Sequence, residues 1–505
     1  FTSAKGVYCE EGSPTVSPGA LNTFWRSAEN FETRANFPWE GGSGMMWAAA
    51  QASPLRRVLV AADLLLYQTQ PGDRAAGYSS GGFLGNSRVI GAARSGSQQQ
   101  FLTRNSEVGS WPNGVWNMVF VGTRGAPLGH CGRNDKVCSL PIVNVDATPV
   151  IAEKPFISIN AEGGYVLNIP QAQMNRSGVD WSPAPQVDFE SVYVARNDTD
   201  TAGSINAKLG QGLHIVLSPG IYLLEDALSL QSSGQVLLGL GLATLVAQAG
   251  KPAVVVGNVD GVRVAGVLLQ AGAEASQALL QWGTGSYPGN SSNPGVLSDV
   301  FVRIGGPLSD SQVQAKVMVQ INSGHVLGDN LWLWRADHTE GGLVKNGDNP
   351  CEVGLVVNGD DVAMYGLQIE HTLQDLLQWN GERGATYFFQ AEMPYDVNQA
   401  NYGDKGYAGY RVASSVVNHS SFGAGVYHYF RDNHVVVHAG IVAPPHLEDS
   451  FVSPLSVFLN GKGVIKHVIN DKGGLVAVSV FYYFVVAGFV VICSCLVYFK
   501  DKANC

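Results

Sequence analysis

Three observations predict an all-β chain built as two parallel β-helical lobes followed by one membrane-spanning helix. At 505 residues the chain exceeds what one compact core covers, so two domains or an elongated solenoid are expected. Between Leu213 and Glu392 short alternating apolar stretches recur, broken by Gly, Asn and Asp, and four of them align without gaps. Near the C-terminus a stretch of 25 residues, LVAVSVFYYFVVAGFVVICSCLVYF, carries no charge. Composition narrows the classes further. Lys and Arg number 31 and Asp and Glu 41, a net charge of −10, and only 14% of residues are charged, against about 25% in ordinary soluble domains. That profile excludes a helical bundle, intrinsic disorder and a nucleic-acid binder, which needs a basic face.

In chain order, residues 1–180 form the N-terminal lobe. FLGNSRVIG and FLTRNSEVG place Asn86 and Asn105 at equivalent turns, and GVWNMVFVG reads as a further strand of the series. The polar, Pro-containing stretch from Gln171 to Asp188 reads as a linker. Residues 181–474 form the second lobe. There Asn258, Asn322, Asn358 and Asn380 each open a turn, and a strand ends twelve residues later at Gln270, Trp334, Glu370 and Glu392. Asn suits such turns because it tolerates left-handed backbone and bonds its own turn amides. A repeat of this length suits one coil of a parallel β-helix, in which each coil buries its apolar face only by stacking on the next. An antiparallel sandwich is the competing reading, but its strands need not repeat in register.

Residues 475–499 are long enough to cross a bilayer at about 1.5 Å per residue. Lys500 and Lys502 follow, which places the tail 500–505 in the cytosol. The expectation is a single-pass type I protein of the plasma membrane, with the bulk of the chain extracellular. A buried core helix or strand pair is the competing reading, and a cleaved lipid-anchor signal a further one, although such signals lack a charged tail and carry a polar spacer. The chain starts at Phe1 with no visible signal peptide, so a processed or truncated form is expected. Four glycosylation sequons, at Asn175, Asn197, Asn290 and Asn418, lie upstream of the span. Cys131 and Cys138 bracket a short loop and are expected to form a disulfide in an oxidising compartment. Of the remaining cysteines, the pairing of Cys9 and Cys351 stays open.

The register has chemical consequences. Alternate side chains of a strand face opposite ways. With Leu331, Leu333, Leu367, Ile369, Phe389 and Ala391 inward, the outer face carries two columns: Trp332, Gln368, Gln390 and Trp334, Glu370, Glu392. Strands lie about 4.8 Å apart, so Glu370 and Glu392 are stacked carboxylates, and like charges that close raise one pKa. Two outward Trp beside them resemble a sugar cleft. Arg335, Asp337 and His338 either orient substrate or form a local salt bridge, and His371 faces inward by alternation. No zinc motif, phosphate loop or nucleophile elbow is present, so neither metal nor cofactor is expected.

The stretches NTFWRSAEN, MMWAAAQASPLRRV, SGSQQQFLTRN, NGVWNMVFVG, LWLWRADH, GLVVNGDDVAMYGLQIEH and WNGERGATYFFQAEMPYDV resemble glycoside hydrolase family 55. The resemblance covers about residues 22–470. It implies two tandem right-handed, pectate-lyase-like β-helices in a rib-cage arrangement, with the family's first coil missing upstream of Phe1. It also implies an exo-acting, inverting β-1,3-glucanase whose partner is a β-glucan. The family's general acid maps onto Glu392 within Gln390-Ala391-Glu392-Met393-Pro394-Tyr395, and its water-holding glutamine onto Gln100 before Phe101. The expected site is therefore Glu392, Gln100 and Glu370 for catalysis, with Trp332, Trp334, Gln368, Gln390, Tyr395 and Arg335 against substrate. The alternative function is a catalytically silent β-helix acting as a structural or carbohydrate-binding part of a cell-surface assembly.

Overall fold

The computed structural model describes the chain except residues 1, 4–6, 10–18, 22, 40, 69–76, 113–115, 130–141, 306–311, 340, 478–483, 487–488 and 492–505. The repeat seen in the sequence becomes two long sheets. One runs through Val236–Ala247, Arg263–Gln270, Gly295–Ile304, Val326–Arg335, Ala363–Glu370, Gly384–Glu392 and His419–Phe430, every neighbour pairing parallel. The other takes the second strand of each coil, from Leu228–Leu230 to Val464–Ile469, again parallel. Their apolar faces meet in one core that holds Leu331, Leu333, Leu367, Ile369, Phe389 and Ala391, the residues the alternation sends inward. The fold is a β-helix, as the register requires.

The asparagines hold the turns by a different route from the one expected. Asn380 Nδ2 donates to Asn358 Oδ1 at 2.8 Å, Asn358 Nδ2 to Asn322 Oδ1 at 2.8 Å, and Asn322 Nδ2 to the Gly283 carbonyl at 2.9 Å. Each side chain thus bonds the coil before it rather than its own turn. This amide ladder satisfies donor and acceptor together and repeats only if each coil places Asn at the same height.

In the first lobe Phe83–Gly85, Gln100–Arg104 and Asn117–Val121 pair in parallel, and Gly85 stands beside Arg104. Asn86 and Asn105 then occupy equivalent turns with φ of 50° and 48°, the left-handed region that Asn tolerates. The stretch read as a linker is more ordered than its composition implies. Gln173–Arg176 pairs antiparallel with Thr148–Ile151, and Gln186–Asp188 with Tyr165–Asn168. The sequence reading also passes over a helix, Ala202–Gly210, which opens on a Thr201/Ser204 capping box.

The predicted membrane helix, and with it the plasma-membrane placement and the membrane as a partner, is overturned. Among the described residues no helix is long and apolar enough to cross a membrane. The apolar run begins extended. Val476 N–H donates to Ile465 O at 2.8 Å, and Ile465 N–H returns a bond to Val476 O at 3.2 Å. Phe484–Val486 and Phe489–Val491 pair antiparallel. The run is rich in Val, Phe and Tyr, which favour the pleated strand over the helix. The rest of 475–499, the tail 500–505 and the Cys131/Cys138 pair lie outside the described residues.

The lobes meet face to face. Phe83, Leu102, Val119 and Val121 of the first pack on Val296, Leu327, Tyr365 and Tyr387 of the second. Through this apolar contact runs a buried ionic lattice. Arg56 reaches Asp299 at 2.6 Å and Asp329 at 2.7 Å, while Arg104 reaches Asp329 at 2.8 Å and Glu153 at 2.9 Å. Burial alone would raise the Asp299 carboxyl, but Arg56 and Lys154 outweigh it and hold it at about 2. Asp329→Ala leaves two buried guanidinium groups undercompensated and should lower stability by about 3–5 kcal/mol in chemical denaturation. Because Asp299 titrates lower folded than unfolded, its share of stability is complete above the ordinary carboxylate range. It is lost as the pH falls from about 4 toward about 2. Acid unfolding should follow that window in the wild type and begin at higher pH in the variant.

Candidate active site

The two columns form as the register predicts. Trp332 pairs with Gln368, Trp334 with Glu370, Gln368 with Gln390, and Glu370 with Glu392. The second expectation, that this face is open, does not hold, because the first lobe covers most of it. Phe24 stacks on Trp332 at 5.1 Å between ring centroids and Trp25 packs tilted against it at 4.8 Å, so Trp332 is 1% exposed. The sugar platform expected of Trp332 is thus occupied by aromatics of the first lobe. Trp334 stacks on Trp332 at 5.1 Å and keeps a small exposed edge, with the His338 ring 5.6 Å away.

Solvent reaches the columns at one end. Trp332, Gln368, Glu370 and Gln390 are buried, whereas Glu392 and Tyr395 are half-buried. The Tyr395 hydroxyl donates to Glu392 Oε1. Glu370 Oε1 accepts from Gln51 Nε2 at 3.0 Å, and Gln51 Oε1 accepts from the Ser80 hydroxyl at 2.6 Å. Gln100 is buried in the same interface, where its Nε2 donates to the Ser80 carbonyl at 2.5 Å. A Cβ added to Gly81 would lie 3.0 Å from Gln100 Cγ and 3.1 Å from Gln368 Nε2, so glutamine side chains from different lobes converge beside Gly81. Among the described residues Gln100 Oε1, Gln368 Nε2 and Gln390 Oε1 are buried without a hydrogen-bond partner. Such groups are costly unless water or a ligand hydroxyl meets them.

The carboxylates are tuned upward. Burial pushes Glu370 up to about 7, and the nearby Asp337 charge adds to it, against hydrogen bonds that favour the ionised form, Gln51's among them. Burial and then the Glu370 charge push Glu392 well above the ordinary carboxylate range, against the Tyr395 hydroxyl. Burial would also raise Asp337, but the His338 ring, 3.0 Å away, outweighs it and keeps Asp337 ionised. The result is a carboxyl of raised proton affinity at the solvent-facing end, near an aspartate held low.

His371 departs from its expected inward position. Its φ of 67° breaks the alternation, and its Nδ1 lies 3.3 Å from Met393 O. Its ring stands 4.3 Å from that of Tyr395, and burial lowers it to about 4, so it is neutral. One ligand atom each of Glu370, His371 and Glu392 lies within 4.8 Å of the others. These three are therefore the group at this site that could hold a cation.

Arg335 is placed differently from a substrate contact. It is 1% exposed and donates to both oxygens of Asp396, at 3.0 and 2.8 Å, and to the carbonyls of Asp348, Asn349 and His371. It fixes the loops behind the site. Gln51, Ser80, Phe24 and Trp25 carry no periodic signal. Gln51 stands 319 residues from its partner Glu370, a separation no local spacing rule spans. The sequon residues Asn175, Asn197, Asn290 and Asn418 are all exposed.

A β-helix that presents paired, raised carboxyls at a lobe junction defines a class of carbohydrate-active protein, and comparison with known proteins agrees. A family profile for the LAM55 pectate lyase-like domain matches residues 192–392. An exo-β-1,3-glucanase of Streptomyces sp. (strain SirexAA-E / ActE) is 39% identical over 477 residues, 92% of this chain and 75% of the relative. The structure of sacteLam55A from Streptomyces sp. SirexAA-E superposes with a TM-score of 0.80 at 36% identity, covering 91% of this chain and 81% of that one. A variant of sacteLam55A in complex with glucose superposes at 0.83 and 35% identity, covering 94% and 84%. The chain belongs to glycoside hydrolase family 55, and it is a glycoside hydrolase.

Gly81 has φ of 115°, and a Cβ there would crowd Gln100 Cγ and the Gln368 amide, from the two lobes. Gly81→Ala should therefore lose about 1–3 kcal/mol from overpacking and backbone strain. Turnover should fall with it, as thermal denaturation and a hydrolysis assay would show.

Proposed function

We propose that this protein hydrolyses β-1,3-linked glucan from a chain end with inversion at the anomeric centre. In this reading Glu392 is the general acid, Gln100 holds the attacking water and Glu370 raises the acid's pKa. The observation that carries it is the Glu370–Glu392 pair: the outer member meets solvent and the inner one is sealed by the first lobe. Cleaving a glycoside needs a proton on a poor leaving oxygen as oxocarbenium character develops, and a carboxyl still protonated near neutral pH supplies it.

Inversion further requires a water on the far face, with its activating group about 6.5–9.5 Å from the acid. Glu370, within 4.8 Å of Glu392, is too close for that part. It is equally unsuited to be the nucleophile of a retaining reaction, since burial keeps it largely protonated up to about 7. Gln100, with an unpartnered Oε1, approaches from the opposite lobe and suits the water. Gln368 and Gln390 offer the remaining free amide atoms to that water or to sugar hydroxyls. The Trp334 edge and Tyr395 border the opening where the terminal sugar enters. The Streptomyces relative's name supplies the β-1,3 linkage and the exo mode.

The direct test is proton NMR of laminari-oligosaccharide hydrolysis. Glucose should appear first as the α-anomer; a β-anomer product would refute inversion, and no product from any β-glucan would refute the substrate. Glu392→Gln should lower kcat by at least about two orders of magnitude with glucan binding little changed, because acid catalysis acts on the transition state. The pH dependence checks the role of Glu370. Activity should fall as pH rises through the raised Glu392 value, and Glu370→Gln, by removing the neighbouring charge, should move that limb to lower pH.

A further inference from the structure

A second group of metal-ligating side chains lies in the other sheet, away from the carboxylate pair. His438 sits on Val436–Val442, His467 on Val464–Ile469, and Asp471 in the turn that follows. One ligand atom of each lies within 4.8 Å of the other two, and His438 Nε2 is 3.0 Å from Asp471 Oδ1. Two imidazoles and one carboxylate within this span match the donor set of a zinc-class cation, whose bonds of about 2.0–2.2 Å place tetrahedral ligands about 3.4 Å apart. His438 and Asp471 are exposed and His467 is half-buried, so a cation can enter.

Two further features show a built site rather than a chance meeting. His467 Nδ1 stands 3.2 Å from the Gly473 carbonyl, which places the ring proton there and leaves the Nε2 lone pair for a metal. A main-chain carbonyl behind a ligating histidine is the usual way a protein fixes the tautomer and aims the ring. The turn that carries Asp471 is also held in place. Asn470 N–H donates to Ile441 O at 2.9 Å, and Asn470 Nδ2 to Ala443 O at 2.9 Å and Glu448 Oε1 at 2.6 Å. The nearby Lys472 ammonium is paired with Glu448 at 2.5 Å, which compensates its charge.

We infer that His438, His467 and Asp471 bind one divalent transition-metal ion of the zinc class, with a water in the fourth position. The ion joins the outermost strand of the nine-stranded sheet to the strand before it and to the closing turn. The end of a solenoid needs a cap; beyond its pairing with Val436–Val442, the strand Val464–Ile469 carries short antiparallel contacts to Lys472 and Val476, and the metal adds a further tie there. It does so without contacting substrate, so this site stands or falls independently of the proposed hydrolytic mechanism.

Isothermal titration of chelator-treated full-length protein with zinc chloride tests it. One equivalent should bind in the micromolar range or tighter, with magnesium giving no heat, since imidazole ligands favour zinc over magnesium. Zinc should raise the thermal midpoint and slow hydrogen exchange over residues 464–472. His438→Ala/His467→Ala should abolish both effects while leaving hydrolysis at the wild-type rate. Asp471→Asn, at an exposed turn, should weaken binding at least about tenfold. No zinc binding by the wild type at millimolar concentration would overturn the site. So would equal binding by the double variant, which would move the ion to the Glu370–His371–Glu392 group.

Discussion

The contact between Arg104 and Asp329 sets the geometry of the site. Arg104 ends the strand that begins at Gln100, and Asp329 lies on the strand that carries Trp332 and Trp334. A strand rises about 3.3 Å per residue. Once the two charges meet at 2.8 Å, Gln100 lies about 13 Å along one strand and Trp332, with its register partner Gln368, about 10 Å along the other. Two glutamine side chains from different lobes therefore meet beside Gly81. Arg56 and Asp299 form a second lock, with Asp299 one coil before Asp329 and Arg56 two strands before Arg104. A buried ion pair of this kind is a poor source of net stability against an apolar alternative. It penalises every misaligned docking of the lobes, because a slip by one residue would leave several charges unpaired in the interior.

Docking also creates the chemistry. On an isolated second lobe Glu370 would face water and titrate as an ordinary carboxylate. Bonded by Gln51, and beside Trp332 and Trp334 on which Phe24 and Trp25 pack, it is buried, and the cost of charging it rises. Glu392, one coil further on, experiences that neighbour while keeping solvent access. One interface thus makes a buried tuning group and an accessible acid out of two residues that local sequence presents as equivalents. The aromatic residues serve the same end. Their packing over Trp332 excludes water from the back of the site and leaves only its mouth for a ligand.

The C-terminal run illustrates a different point about apolar length. Twenty-five uncharged residues satisfy the arithmetic of a bilayer crossing, yet a β-helix offers another apolar partner: its own last strand. Val476 pairs with Ile465 and packs against the main core, so the run starts as an added strand. Hydropathy reports how much surface seeks burial and is silent about which surface will cover it.

Much of the architecture was legible because a β-helix is a local repeat. Coil spacing, the inward Leu, Ile and Phe, the Asn turn positions and the Trp334–Glu370–Glu392 column all follow from residues one coil apart, with alternation fixing the face. Sequence alone therefore determined the β-helical architecture, the register and the pair of stacked carboxyls, but not the form of the apolar C-terminal run. Tertiary structure decided which outward face is buried, that Trp332 is packing rather than platform, that Arg335 braces loops, and that Gln51 and Gln100 cross from the other lobe. It also turned His371 toward the carboxylates through a single left-handed residue. The reason is range: alternation and coil repeat act over about 22 residues, whereas desolvation depends on what packs against a surface, and here that partner lies 319 residues away in the chain.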